Sequence, residues 1–235
     1  MKLTPEQVHL FRHNGFLVLP ERLPEAQVAR LKETVWRHIR EEIPPVMRNR
    51  EGRVIRISDI WNREPIFRET ITCPAVLDPL ESLLGPNIEL ILNRHNHAYL
   101  RVAGDGGDYL HRDVLQWTRA IVTVILYLEE TSLENGCTRV IPGTHLLPGL
   151  TALRLEEDET IARSGILEQA VPVPMPAGGL LAIDSLVMHG PGPNRTEGTR
   201  MSLTVGFHSA DELSDVPNPK RVLVRGERRY MGNDY

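Results

Sequence analysis

The sequence predicts an α+β protein built on an antiparallel sandwich or barrel. Two observations carry this: apolar residues recur at helical spacing before residue 87, and after it the chain breaks into short extended runs separated by Gly, Pro and Asn. A third supports it. In "RMSLTVGF", Arg200, Ser202, Thr204 and Gly206 fall on one face of a strand and Met201, Leu203, Val205 and Phe207 on the other, as in a sheet with one polar and one core-forming side. A simple solvent-facing strand shows the same alternation.

Taken in order, Thr4, Pro5 and Gln7 read as an N-cap, a first-turn proline and a capping-box partner, opening a helix that Asn14-Gly15 closes. "FLVLP" follows as a short strand. From Pro24 to about Glu42, Val28, Leu31, Val35 and Ile39 form an apolar stripe, predicting an amphipathic helix lying on a sheet. A further helix is expected over Pro74 to Leu84, stopped by Gly85-Pro86. The strands expected next are "IELILNRHNHAYLRV", "AIVTVILYLEE", "TRVIPGTH", "QAVPVPMPAG", "GLLAIDSLVMH" and "RMSLTVGFHS". The organisation is one domain over 1–235: helical support mostly in 1–86, a β-core over about 88–209, and a basic, weakly patterned tail over 210–235 read as partly ordered.

Composition narrows the function classes. A formal net charge of -4, spread without long blocks, argues against a nucleic-acid surface. The opening "MKLTPEQVHLFRHNG" lacks the apolar core of a signal peptide, and the apolar run 120–128 is too short for a membrane span, so no membrane partner and a cytoplasmic location are expected. Two cysteines, Cys73 and Cys137, make neither a disulfide framework nor a zinc site alone. The oligomeric state is open.

"YLHRDVLQW" places His111 and Asp113 two apart, so on a strand both face one side while Arg112 points away. That spacing occurs often by chance, and a solvated polar pair is the bland reading. "GGLLAIDSLVMHGPGPNRTEGTRMSLTVGF" changes the balance: it reads as a strand ending at His189, a turn, and a second strand from Arg200, a hairpin that brings both residues to one cavity. One carboxylate and two imidazoles are the set that holds non-haem Fe(II) with open positions remaining. A permanently charged guanidinium nearby suits the far carboxylate of a chelating dicarboxylate.

Through "HRD" at 111–113, "NGCTRVIPGTH" at 135–145 and "DSLVMHGPGPNRTEGTR" at 184–200, the chain resembles the phytanoyl-CoA dioxygenase (PhyH-like) family of Fe(II)/2-oxoglutarate-dependent oxygenases. The resemblance runs from "GFLVLP" to about Ser209. It implies a double-stranded β-helix, a jelly-roll or cupin-like barrel with supporting N-terminal helices. It implies His111, Asp113 and His189 as Fe(II) ligands, Arg200 as the grip on 2-oxoglutarate, and O2 as oxidant. Asn96, and less directly Arg94 and Trp117, resemble co-substrate contacts of ectoine hydroxylase. Ser202 repeats an arginine-x-serine pattern in which the hydroxyl shares the distal carboxylate. Thr123 is either a co-substrate hydroxyl or a satisfied core threonine, with the second favoured.

The activity implied is hydroxylation of an unactivated C–H in a small polar metabolite or natural-product intermediate, with release of succinate and CO2. Related halogenases replace the acid by a small residue; Asp113 is retained here, favouring hydroxylation over chlorination, while desaturation, epimerisation and cyclisation share the same ligands. The sequence has no basic cluster suited to a coenzyme A phosphate. Candidate substrate-lining residues are His97, Arg101, Arg119, Trp61, Trp117 and His208. His95, too, is structural or substrate-lining in this reading rather than a ligand, and His145 stabilises a turn. Cys137 fills a small position in a turn, Asp105 and Asp108 flank loop glycines, and Asp184 either orients a ligand or caps a turn. The competing class is a jelly-roll that binds metal without turnover, or a cupin-type isomerase needing no co-substrate; Arg200 at its distance from His189 discriminates, because neither needs a dicarboxylate clamp.

Overall fold

The computed structural model describes residues 1–103, 109–114, 120–147, 158–211 and 218–228. Two antiparallel sheets face one another, and helices cover the outer face of the larger one. Helix α1 (Pro5–Asn14) carries the expected capping box: Gln7 N–H donates to the Thr4 hydroxyl (3.3 Å), and the Gln7 side chain accepts from Thr4 N–H (2.9 Å). Strand β1 (Phe16–Val18) and helix α2 (Glu25–Arg40) follow. Val28, Leu31 and Val35 are buried and Ile39 partly so, and the stripe packs on the sheet as its spacing requires. Helix α4 runs Pro74–Leu84 and ends at Gly85.

Three elements before residue 87 were not expected: strands β2 (Val46–Arg48) and β3 (Val54–Ser58), and helix α3 (Pro65–Ile71). The segment taken as helical support therefore also extends the sheet. "VIRIS" pairs with β5 (His97–Arg101) on one side and β2 on the other, so its strand conformation is settled by a partner about forty residues away rather than by a long local alternation.

The large sheet runs β1-β9-β6-β11-β5-β3-β2, with β9 at Leu180–Asp184, β6 at Ile121–Tyr127 and β11 at Arg200–Ser209. Along one edge of β11 two strands lie end to end: β4 (Ile88–Ile91) pairs with 206–209 and β5 with 200–204. Residues 92–96 bulge out between them. The tail also differs from expectation, since β12 (Arg221–Arg225) pairs with β4 and closes that edge. Arg225 holds it by ion pairs to Asp78 (2.7 Å) and Glu81 (2.9 Å) on α4. The small sheet is β10-β7-β8, at Met188–Pro191, Thr138–Ile141 and Val171–Val173. A short helix α5 spans Glu159–Arg163.

The alternation of β11 is realised. Met201, Leu203, Val205 and Phe207 are fully buried against α1 to α4, each contributing ~2 kcal/mol of apolar burial. The other face looks toward the small sheet, and between the layers Ile125, Tyr127, Val140, Leu181, Ile183 and Val187 form a second core. The result is the jelly-roll, double-stranded β-helix with N-terminal helical support. Among the described residues no helix is long and apolar enough to cross a membrane.

Candidate active site

His111 and His189 face each other across an isolated antiparallel bridge: His111 N–H donates to the His189 carbonyl (2.8 Å) and His189 N–H to the His111 carbonyl (3.0 Å). The expected regular strand through 111–113 is absent. Asp113 sits in a bend, its N–H donating to the Ser185 carbonyl (2.9 Å), and this bend turns the carboxylate toward the two imidazoles. The bridge needs glycine at 190, where a Cβ would lie 2.0 Å from the Tyr109 carbonyl oxygen. Asp184 caps the turn before β10 by accepting from Leu186 N–H (2.9 Å), which resolves the alternative left open for it. Arg112 points away, donating to the carbonyls of Thr144 and Leu147.

His111 Nε2 and His189 Nε2 lie 3.6 and 3.7 Å from Asp113 Oδ1, and one donor atom from each of the three residues falls within 4.8 Å of the others. His189 Nδ1–H donates to the Val187 carbonyl (3.0 Å), leaving Nε2 with its lone pair toward the cluster. Burial lowers His189 to about 4, although the Asp113 carboxylate pulls the other way, so the ring is neutral and ready to ligate at pH 7. Burial pushes the Asp113 carboxyl up, but its contacts with His95, His189 and His111 outweigh this and hold it well below the usual carboxylate range. Asp113 Oδ1 is buried without a hydrogen bond, an orphan of the kind a divalent cation satisfies. The donor set and this orphan fit Fe(II).

Two features of the cluster escaped the sequence. Thr123 Oγ1 donates to Asp113 Oδ2 (2.8 Å) and meets Ser185 Oγ at 3.2 Å, so its hydroxyl orients the carboxylate instead of meeting a co-substrate. A polar residue amid "AIVTVILYL" was the available signal. His95 Nε2 comes within 2.8 Å of Asp113 Oδ1, without hydrogen-bond geometry, from a backbone held at φ 50. No local pattern announces that conformation.

An inner cavity of about 250 Å³ lies between the sheets, walled by His111, His189, Arg200, Ser202 and Thr204, with Arg101 opposite. Arg200 and His189 meet there from different sheets. They are not the two arms of a hairpin, since β10 pairs with β7 and β11 with β4, β5 and β6. Arg200 is buried and donates through Nη1 to the Gly136 carbonyl, which explains the "NGC" turn: at φ 82, a Cβ on Gly136 would sit 2.3 Å from the Gly192 oxygen. Burial lowers the Arg200 guanidinium, and Nε has no partner. Arg101, expected among the substrate residues, is its register partner across β5 and β11. Two buried like charges directly opposite one another, with no carboxylate among the described residues of the cavity wall, fit an anionic ligand.

The remaining expected residues fall elsewhere. Asn96 does not reach the inner cavity: its amide accepts from Trp61 N–H (3.0 Å) and donates to Asp59 (3.1 Å) and to the Leu92 carbonyl (3.3 Å), so its hydrogen-bonding capacity serves the turn. Arg94 lines a larger outer cavity of about 1140 Å³. His97 borders both cavities, and burial, with His95 and Arg56 adding to it, lowers it to about 3. Trp61 packs against the helical core with Arg68 over its ring, and His208 is buried against Glu89 (2.8 Å) at the β4–β11 edge; neither lines the inner or the outer cavity. His145 Nε2–H donates to the Arg12 carbonyl (3.0 Å), in the expected turn-fixing role, and burial pushes the Cys137 thiol up. Trp117, Arg119, Asp105 and Asp108 lie outside the described residues.

Comparison with known proteins agrees with this geometry. The family model for phytanoyl-CoA dioxygenase (PhyH) matches residues 11–202. The peroxisomal phytanoyl-CoA dioxygenase of Homo sapiens is 27% identical, over 89% of this chain and 69% of its own length. The methylphosphonate hydroxylase of Gimesia maris is also 27% identical, over 89% of this chain and 82% of its own. Among solved structures, the epimerase SnoN in complex with Fe3+, alpha ketoglutarate and nogalamycin RO superposes with a TM-score of 0.74 at 19% identity, covering 94% of this chain and 98% of SnoN. With its match over most of the length and its two-histidine, one-aspartate centre, the chain belongs to the phytanoyl-CoA dioxygenase family of Fe(II)/2-oxoglutarate-dependent oxygenases.

Proposed function

We propose that the protein hydroxylates an unactivated C–H bond of a small polar metabolite or natural-product intermediate, consuming 2-oxoglutarate and O2 and releasing succinate and CO2. The observation that carries this reading is that the His111–Asp113–His189 set presents both of its histidines to the inner cavity that also holds the buried pair Arg200 and Arg101. His111, His189 and Asp113 would hold Fe(II), which supplies the oxidising chemistry once O2 and 2-oxoglutarate are present. Arg200 receives the distal carboxylate of the co-substrate, Arg101 adds the second positive charge, and Ser202 offers a hydroxyl beside them. Thr123 keeps Asp113 Oδ2 engaged so that Oδ1 faces the metal. The hydrophobic layer behind, including Ile125, limits water on the inner side.

Retention of Asp113 argues against chlorination, because the carboxylate takes the position a halide would need. The named chemistry of the Gimesia maris relative is hydroxylation and that of SnoN is epimerisation. The test is anaerobic addition of Fe(II) and 2-oxoglutarate, followed through the visible charge-transfer band of the chelate, and then a metabolite screen under air. Hydroxylation gives succinate together with a product heavier by one oxygen. Succinate with an isomeric product instead identifies an epimerase. Absence of the band while iron is bound rejects the oxygenase reading.

A further inference from the structure

The outer cavity opens onto the same metal cluster, being lined by His111 and Asp113, and its wall is cationic. Arg56 comes from β3 and borders the inner cavity as well, Arg94 comes from the 92–96 bulge, and Lys220 from the segment leading into β12. These three arrive from distant parts of the chain, which is why no basic cluster is visible in the sequence. Their placement is structurally enforced. Lys220 is bound to the bulge through its carbonyl, which accepts from Leu92 N–H (2.8 Å), two residues before Arg94. Arg94 precedes His95, whose ring touches Asp113, and the Asp113 carboxylate acts on the Arg94 guanidinium through space.

None of the three makes an ion pair among the described residues. Arg56 reaches only the Ser58 hydroxyl (3.2 Å), and Arg94 Nε is buried without a partner. The wall's carboxylates are already committed: Asp59 accepts from the amides of Asn62 (2.9 and 3.1 Å) and Asn96 (3.1 Å), and Asp113 belongs to the metal cluster. The two carboxylates of 2-oxoglutarate are matched by the metal and by Arg200 with Arg101, so co-substrate leaves Arg94 and Lys220, which line the outer cavity and not the inner one, uncompensated. Cations gathered in a concave site focus a positive potential on whatever enters.

We propose that the substrate is a small oxyanion, a phosphonate or carboxylate compound. Its charged group sits on Arg94, Lys220 and Arg56, and its oxidisable carbon projects toward His111 and Asp113. This rests on the oxygenase reading for its chemistry, but the anion site is testable by binding alone. Protein loaded anaerobically with Fe(II) and saturating 2-oxoglutarate is titrated by calorimetry with methylphosphonate, with acetate, and with neutral dimethyl sulfone. Saturating co-substrate keeps the probes off Arg200.

The expected result is salt-sensitive binding of at least one anion and none of the sulfone, the two anions distinguishing a phosphonate from a carboxylate head group. Lys220→Ala, at an exposed position that does not endanger folding, weakens binding roughly fivefold, Arg94→Ala roughly tenfold, and Lys220→Glu more than either. The 2-oxoglutarate band stays unchanged in all three variants. Equal binding of sulfone and anions, anion binding indifferent to all three substitutions, or binding of coenzyme A with neither small anion bound overturns the proposal. Loss of the band with anion binding intact would strike the oxygenase reading and leave this site standing.

Discussion

The inner and outer cavities share His111, His95 and His97 yet are built in different ways. The inner one is walled by regular strand positions: Arg200, Ser202 and Thr204 at alternate residues of β11, and Arg101 in register opposite Arg200. The outer one takes Arg56 and Arg221 from strands but its other cations from irregular backbone, with Arg94 beside His95 on a bulge between two end-to-end strands and Lys220 on the segment entering β12. A strand wall holds its side chains at fixed spacing and suits a ligand common to every turnover. A wall of turns can change length and residue without disturbing the sheet, which suits the ligand that differs between relatives.

The sharpest break between the two regions comes from the cluster they share. Replacing His189 with Ala removes one of three donors and half of the ring pair with His111, and metal analysis of the purified variant should find the site empty and turnover abolished. Arg200→Ala strikes the inner cavity alone: 2-oxoglutarate affinity falls roughly 10- to 100-fold with iron retained, read from titration of the visible band. Thr123→Val, which keeps volume and β-propensity, removes the hydroxyl on Asp113 Oδ2 and should weaken metal binding about 10-fold or more, whereas Thr123→Ser restores it. If Thr123→Val binds metal as the wild type does, the orienting role is wrong.

A smaller effect concerns pH. His189 and His97 are lowered by burial to about 4 and about 3, against 6.5 when exposed. The unfolded chain therefore takes up protons below pH 6.5 that the folded chain refuses, and stability of the metal-free protein falls as pH drops from 6.5 toward 4. Asp113, held below 3.8, does not titrate in that window. Chemical denaturation across it should show a slope approaching about 1.4 kcal/mol per pH unit for each histidine, and His97→Gln should remove one share. A flat profile in wild type would mean that the rings are hydrated.

Much of the site was legible because its parts are short-range. His111 and Asp113 are two residues apart, "NGC" and "IPGTH" are turns with local logic, and the alternation of β11 separates Arg200 and Ser202 from the core in one glance at the sequence. The family resemblance joined these pieces across the chain. What failed shares a single cause. Asn96, Trp61 and His208 were assigned by spacing or residue type, and each instead spends its polar atoms or its ring on structural neighbours, whereas Thr123 is the satisfied buried threonine that was favoured.

Periodicity and capping by themselves determined the helices α1, α2 and α4 and the polar and apolar faces of β11, because those depend on interactions within a few residues. Tertiary structure decided the rest: that His189 and Arg200 belong to different sheets, that His111 and Asp113 converge through a bridge and a bend, that the tail adds a strand at the β4 edge, and that Arg56, Arg94 and Lys220 line one cavity. Long-range pairing is chosen by burial and by hydrogen-bond partners far away in the chain, and no local window contains them.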